Sequence, residues 1–165
     1  MRPQLYYWET FTTAKRDQIY TTILMERLDH TERCLNVFAA ITGSAAIAGW
    51  IIWQHIPYVW GGIIAASQLY TAIKAHLPFG TRLKAYASLG PEMESLALTA
   101  ERDWFKVSRG DLTEDEIIEL ATKLKRTKVD ATNRHMKGVI APEKQKLIVL
   151  ADEKATAYMA SFMEV

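Results

Sequence analysis

The chain has 165 residues, with 20 Lys and Arg against 19 Asp and Glu, so its formal net charge is +1. A chain of this length ordinarily forms one domain, and the small net charge excludes a global attraction to nucleic acid, so no duplex partner is expected. The single cysteine, Cys34, excludes an internal disulfide and fits a reducing compartment.

The first predicted element is a long amphipathic cytosolic helix, assigned to residues 1–33. The helix has an apolar stripe with approximately helical spacing, and charged residues occupy its other positions. The stripe consists of Tyr7, Phe11, Ala14, Tyr20, Ile23, Leu24 and Leu28. Neither Gly nor Pro occurs from Gln4 to Thr42. We therefore expect this helix to continue as a stalk into the apolar segment that follows.

That segment, residues 34–73, contains no Asp, Glu, Lys or Arg. A short tip at residues 55–58 divides it into two apolar arms, 35–54 and 59–77. As a helix, each arm would be about 30 Å long at roughly 1.5 Å per residue, which matches the hydrocarbon thickness of a bilayer. Because so short a tip allows only an antiparallel hairpin, we predict two transmembrane helices over residues 34–77.

A buried helical hairpin in a soluble protein is the alternative interpretation. It is disfavoured because both arms are apolar on every side, whereas a helix of a small soluble domain keeps a polar face. Aromatic residues also cluster around the tip, and such rings collect at membrane–water interfaces; they are Trp50, Trp53, Tyr58 and Trp60.

The basic residues near the arms all lie away from the tip: Arg27, Arg33, Lys74, Arg82 and Lys84. Because positive charge stays on the cytoplasmic side, we expect a protein of the cytoplasmic (inner) membrane with both termini in the cytoplasm. We expect no cleavable signal peptide before the first arm, which would act as its own insertion signal. Cys34, at the membrane edge, is either palmitoylated or an inert thiol.

Small residues four apart in both arms favour close helix packing, either between the arms or between subunits of a homo-oligomer. The glycines of this pattern are Gly43, Gly49, Gly61 and Gly62. Polar side chains within hydrocarbon are costly unless they are paired or hydrated. The candidates for interhelix hydrogen bonds or a pore lining are Thr42, Ser44, Gln68 and Thr71, with Gln68 the deepest amide.

Residues 78–165 are predicted to form a cytosolic region of several helices. Pro78 is expected to end or kink the second arm, and Gly90-Pro91 to separate helix 81–89 from helix 92–107.

The next predicted helix starts at a capping box formed by Thr113 and Glu116, with Leu112 stapled onto Ile117, and runs to about Lys128. Pro142 is expected to open the last helix. No segment shows a strand pattern, so the predicted class is all-α, with the membrane hairpin flanked by long cytosolic amphipathic helices.

The sequence contains no phosphate-binding glycine loop, no zinc-binding cysteine pair and no catalytic histidine motif. We therefore expect no cofactor, no metal ion and no enzymatic activity. One basic segment stands out, with Lys123, Lys125, Arg126, Lys128 and Arg134. It is a solvated helix face, a site for anionic lipid, or a site for a phosphorylated ligand such as a nucleotide.

The overall layout resembles the SLATT group of bacterial two-transmembrane proteins. The resemblance is carried by the cytosolic helix with Leu28-Asp29-His30 and Arg33, by two close membrane spans, and by a helical extension with a polar loop at residues 109–116. It implies an effector that oligomerises and perturbs or permeabilises the membrane in an antiphage or nucleotide-signalling conflict system, triggered by a nucleotide second messenger or a partner protein. The resemblance assigns no catalytic or ligand-binding role to any residue of this chain.

Two alternatives from other functional classes stay open. The membrane arms could tether a helical scaffold, which would keep its function if the arms were replaced by an unrelated hairpin. The protein could instead be a nucleotide sensor without pore activity, which would bind its ligand through the basic segment 123–137.

Overall fold

The computed structural model of the protein describes residues 2–52, 57–74, 79–139 and 144–162. These residues form the helices α1 (Pro3–Ile52), α2 (Pro57–Lys74), α3 (Phe79–Arg109), α4 (Glu114–His135) and α5 (Gln145–Ala160). The described ranges contain no strand, which confirms the predicted all-α class.

The chain forms two compact units, each with its own set of contacts. The first unit, which we call the bundle, combines Met1–Glu26 with Arg82–Val165. The second, the apolar unit, comprises Arg27–Thr81. The sequence-based division separated residues 1–33 from 78–165, whereas the structure joins the two ends of the chain around one core.

Long-range contacts define the directions of the bundle helices. The Tyr7 hydroxyl donates to the Ala100 carbonyl at 3.1 Å, and Met25 lies against Gly90, so α1 and α3 are antiparallel. Tyr20 and Phe11 of α1 contact Lys144 and Phe162 at opposite ends of α5, which is therefore antiparallel to α1.

Helix α4 is antiparallel to α3. Glu92, near the middle of α3, contacts Arg134 and His135 at the end of α4, while Val107 and Ile117 share the core at the other end. The bundle is therefore an up-and-down arrangement of four helices, with the first part of α1 as one member.

The core forms where the apolar stripe predicted for the first helix meets the other three helices. Tyr7 and Phe11 have no exposed surface. The remaining buried members of this cluster are Ala14, Leu96, Ala100, Val107, Ile117, Ala121, Leu124 and Met159. Two threonines on the buried side of α1 donate their hydroxyls to carbonyls of their own helix, so their burial leaves no unpaired donor.

Helix α1 is uninterrupted from Pro3 to Ile52, as predicted for the stalk. The predicted separation at Gly90-Pro91 is wrong, because α3 continues through Pro91. Proline inside a helix costs about 3 kcal/mol through a lost hydrogen bond and a steric clash. Leu89 and Met93 on either side are almost fully buried, and their packing offsets this cost.

Helix α4 begins as predicted and ends later. The hydroxyl of Thr113 accepts from the Glu116 N–H, while the Glu116 carboxylate accepts from the Thr113 N–H at 2.7 Å, which confirms the capping box. The helix continues past Lys128 to His135 because Ala131 is buried and Arg134 is held by α3.

The predicted helix-opening Pro142 lies outside the described residues, and α5 begins at Gln145. Trp53 and the first part of the tip, residues 55–56, also lie outside them.

Two leucines of α3 provide a matched test of this core. Leu96 is 5% exposed, whereas Leu98 is 58% exposed. Leu96→Ala is expected to lower the free energy of unfolding by about 2–5 kcal/mol, because it removes buried methyl groups and leaves a cavity. Leu98→Ala is expected to change it by about 0.5 kcal/mol or less. Urea unfolding followed by circular dichroism measures both, and equal effects would contradict the assigned core.

Candidate functional site

The apolar unit exposes large apolar side chains. Ile41 on α1 and Leu69 on α2 are each 61% exposed. Val37, Phe38, Tyr58 and Val59 are also exposed. The bundle also exposes single apolar side chains, such as Leu98 and Val129, but it encloses a core, whereas Leu28 is the only buried hydrophobic residue among the described residues of the apolar unit. Contiguous exposed apolar surface is typical of regions that contact a partner or a membrane.

No helix within the described ranges is both long and apolar enough to serve as a membrane span. The predicted membrane hairpin thus stays a prediction that depends on the sequence pattern.

The predicted packing and pore residues fall on both helices of the apolar unit. Gly61, Gly62 and Gln68 are exposed on α2, and a Cβ atom at either glycine would meet no described atom within 4 Å. The others lie within α1 or α2, but their side-chain surroundings lie outside the described part of the chain: Thr42, Gly43, Ser44, Gly49 and Thr71.

Polar side chains next to the apolar segment contact one another within α1. Arg33 Nε lies 2.9 Å from Asp29, one turn away, and the Cys34 sulfur lies 3.6 Å from His30 Nδ1. These contacts follow the surface of one helix, as expected for pairs four residues apart. They leave the predicted state of Cys34 untested.

The basic segment does not form one patch. Lys125 donates to the Tyr6 hydroxyl at 2.9 Å, and its nitrogen lies 4.1 Å from the centre of the Tyr6 ring, a cation–π contact. Lys128 pairs with Asp17 on the same side of α4. Lys123 is two positions from Lys125, about 200° around the helix, and therefore points to another side.

Two cavities flank α4 within the bundle. The first, of about 400 Å³, lies between α1 and α4 and includes Lys125, Lys128 and Glu9 in its lining. The second, which we call the α3–α4 groove, has a volume of about 390 Å³. The basic residues of its lining are Arg102, Lys106 and Lys123. Leu96 and Leu124 border both cavities.

A buried carboxylate organises the α3–α4 groove. Asp103 is 6% exposed, and its Oδ1 lies 3.2 Å from Arg102 Nε and 3.9 Å from Lys106 Nζ. The buried Tyr7 hydroxyl lies near this group; burial raises the pKa of Tyr7, and the negative charge of Asp103 raises it further. Asp103 thus holds two α3 cations, which line the groove together with Lys123 of α4.

The sequence pattern indicated Lys123 but neither Arg102 nor Lys106. The two missed residues are four apart and share one face of α3, but their sequence lies within an ordinary alternation of charges. Only the antiparallel packing of α3 and α4 brings them to the α4 residue.

Within the described residues, no three or more His, Cys, Asp and Glu side chains are grouped so that they could hold a metal ion.

Comparisons with protein-family models, with curated proteins and with solved structures give no match. The resemblance to SLATT proteins therefore stays a prediction.

Glu92, which lines the groove, contacts two basic residues at the end of α4. Glu92 Oε1 lies 2.7 Å from His135 Nε2 and 3.0 Å from Arg134 Nη1. The hydrogen bond with His135, followed by the charge of Arg134, holds the pKa of Glu92 below its ordinary value.

A lowered folded-state pKa gives stability that is present above the unfolded-state pKa of about 4.3 and lost as the pH falls through the folded-state value. We expect Glu92→Gln to be less stable than the unmodified protein at neutral pH and equally stable in strong acid. The exposed Glu94→Gln is the control and should show no such pH-dependent difference. Urea unfolding at a series of acidic pH values measures the stability of each variant. If the stability of both variants depends on pH in the same way, the contact does not stabilise the protein.

Proposed function

We propose that this protein is a membrane effector with two working parts. The apolar unit enters the cytoplasmic membrane and associates with further copies, and the bundle lies in the cytoplasm and controls that association. The observation that carries the proposal is the exposed apolar surface of α1 and α2, on a segment where residues 34–73 contain no ionic side chain.

The energetics support a cover of lipid or protein over this surface. Burying one Val, Leu or Ile side chain contributes about 1.5–3 kcal/mol. If several such side chains stay in water, the free energy of burial that is lost is comparable with the whole stability of a domain, about 5–15 kcal/mol. Lipid is the favoured cover because the segment is free of ions, because aromatic residues gather near its tip, and because basic residues lie only away from the tip.

Association of copies is supported by the open surface of α2. Gly61 and Gly62 present backbone without side chains, and no described atom lies close to them. Small residues of this kind allow helices to approach closely within lipid. Because α1 contributes residues to both units, a change in its packing within the bundle would be carried along one continuous helix into the apolar unit. In this proposal, such a change opens a polar path beside Gln68 and Thr71.

Membrane insertion is tested by placing a charge on equally exposed apolar positions of the two units. Ile41→Lys should reduce the fraction of protein that remains in membranes after alkaline carbonate extraction, because a lysine within a membrane helix is costly, up to about 2.5–3.5 kcal/mol at the helix centre. Leu98→Lys, on the exposed face of the bundle, should leave that fraction unchanged. An unmodified protein found in the soluble fraction would end the membrane proposal.

The effector activity is tested separately by dye release from liposomes. We expect the unmodified protein to release dye and Gln68→Leu to release less, because the variant loses a polar group that would line the path. Gln145→Leu, at an exposed position of α5, is the matched control. Membrane insertion without dye release in any oligomeric state would reject the pore.

The second candidate is a membrane-anchored scaffold or ligand sensor without pore activity, and the α3–α4 groove is the observation that favours it. In that case the bundle carries the function and the arms only tether it. Replacing residues 34–77 with an unrelated membrane hairpin would then preserve the cellular activity, whereas the effector would lose it.

A further inference from the structure

The α3–α4 groove, whose residues all belong to the bundle, has features of an anion site. This site is independent of the proposed effector activity and would give the ligand-sensor alternative its class of ligand. Three cations line it, and one buried carboxylate, Asp103, stands among them. The other acid of the lining, Glu92, is held by Arg134 and His135. The centre of the groove therefore carries a net positive charge.

The cations of the groove keep donors for a further acceptor. Arg102 uses Nε for Asp103, which leaves its two terminal nitrogens as a planar fork suited to phosphate or carboxylate. Lys106 lies at the longer distance of 3.9 Å from Asp103 and retains N–H donors. Lys123 forms no ion pair with any residue that the structure describes. Asp103 is thus a positioning residue that holds the α3 cations over the cavity.

The lining of the groove has an apolar part, next to the hydroxyl-bearing residues Ser95, Thr99 and Thr127. This apolar part consists of Leu96, Leu120 and Leu124. Its volume of about 390 Å³ is far larger than an inorganic phosphate ion and falls in the range of small-molecule pockets. This combination of cations and leucines suits a ligand with one anionic end and one less polar end.

We propose that the α3–α4 groove binds a small organic phosphate, with the phosphate held by Arg102, Lys106 and Lys123 and the organic part against the leucines. The cavity between α1 and α4 is less suited to this ligand. Its two lysines are engaged by Tyr6 and Asp17, and Glu9 adds a negative charge to its lining.

The full-length protein in phosphatidylcholine nanodiscs, with labelled leucine methyl groups, tests this site. Titration with AMP is expected to shift the methyl resonances of Leu96, Leu120 and Leu124 and to leave that of Leu147 on α5 unchanged. Adenosine, which lacks the phosphate, is the ligand control and should produce no shift.

Variants on both helices test the assignment of the cations. Arg102→Ala and Lys123→Ala should each weaken AMP binding about tenfold or more, because each removes a charge-assisted hydrogen bond. Lys154→Ala, an exposed position on α5, is the matched control and should bind as the unmodified protein does. An unchanged Leu147 resonance in each variant verifies that the bundle is folded.

The phosphate has two possible sources, a free ligand or a lipid headgroup. Nanodiscs that contain phosphatidic acid, without AMP, provide the second arm of the experiment. Leucine shifts with AMP support a soluble ligand, and shifts with phosphatidic acid alone support a headgroup; either result must be lost in Arg102→Ala and Lys123→Ala. Absence of shifts in both arms, or an equal loss in Lys154→Ala, would overturn the proposal.

Discussion

The packing of the first part of α1 against α3, α4 and α5 is the interaction on which the bundle depends. Tyr7 and Phe11 are fully enclosed, and the Tyr7 hydroxyl reaches a carbonyl 93 residues away. Because the apolar stripe of α1 has its partners far along the chain, the core closes only when both ends of the chain are present. The groove on α3 and α4 depends on this core, since Leu96 and Leu124 belong to both.

The two units differ in the burial of their apolar side chains. The bundle encloses an apolar core, leaves single apolar side chains such as Leu98 exposed, and has ion pairs on its surface, such as Arg16 with Asp152 at 3.8 Å. The apolar unit leaves residues such as Ile41 exposed and has no ions in its central forty positions. This difference is the physical basis for proposing a lipid environment for one unit and an aqueous one for the other.

The basic segment shows that residues close in sequence can lie on different sides of a helix. Five cations near one another in the chain left open a solvated helix face, a lipid site or a site for a phosphorylated ligand, and helical geometry points Lys123 away from Lys125 and Lys128. Lys128 is neutralised by Asp17, while Arg102 and Lys106 take places beside Lys123 that no local pattern assigned to them. The position of a residue on a helix face indicates whether its side chain is exposed. The packing of the helices determines which residues of a neighbouring helix lie across a groove from it.

Local rules in the sequence were sufficient for the helical class, the uninterrupted α1 and the capping box at Thr113, because each depends on interactions within a few residues. The same rules gave a break at Pro91 that burial of Leu89 and Met93 overcame. Tertiary structure alone decided that the chain ends share a core and that α3 and α4 form a cationic groove. Both depend on contacts between distant segments, whose free energy no local pattern contains.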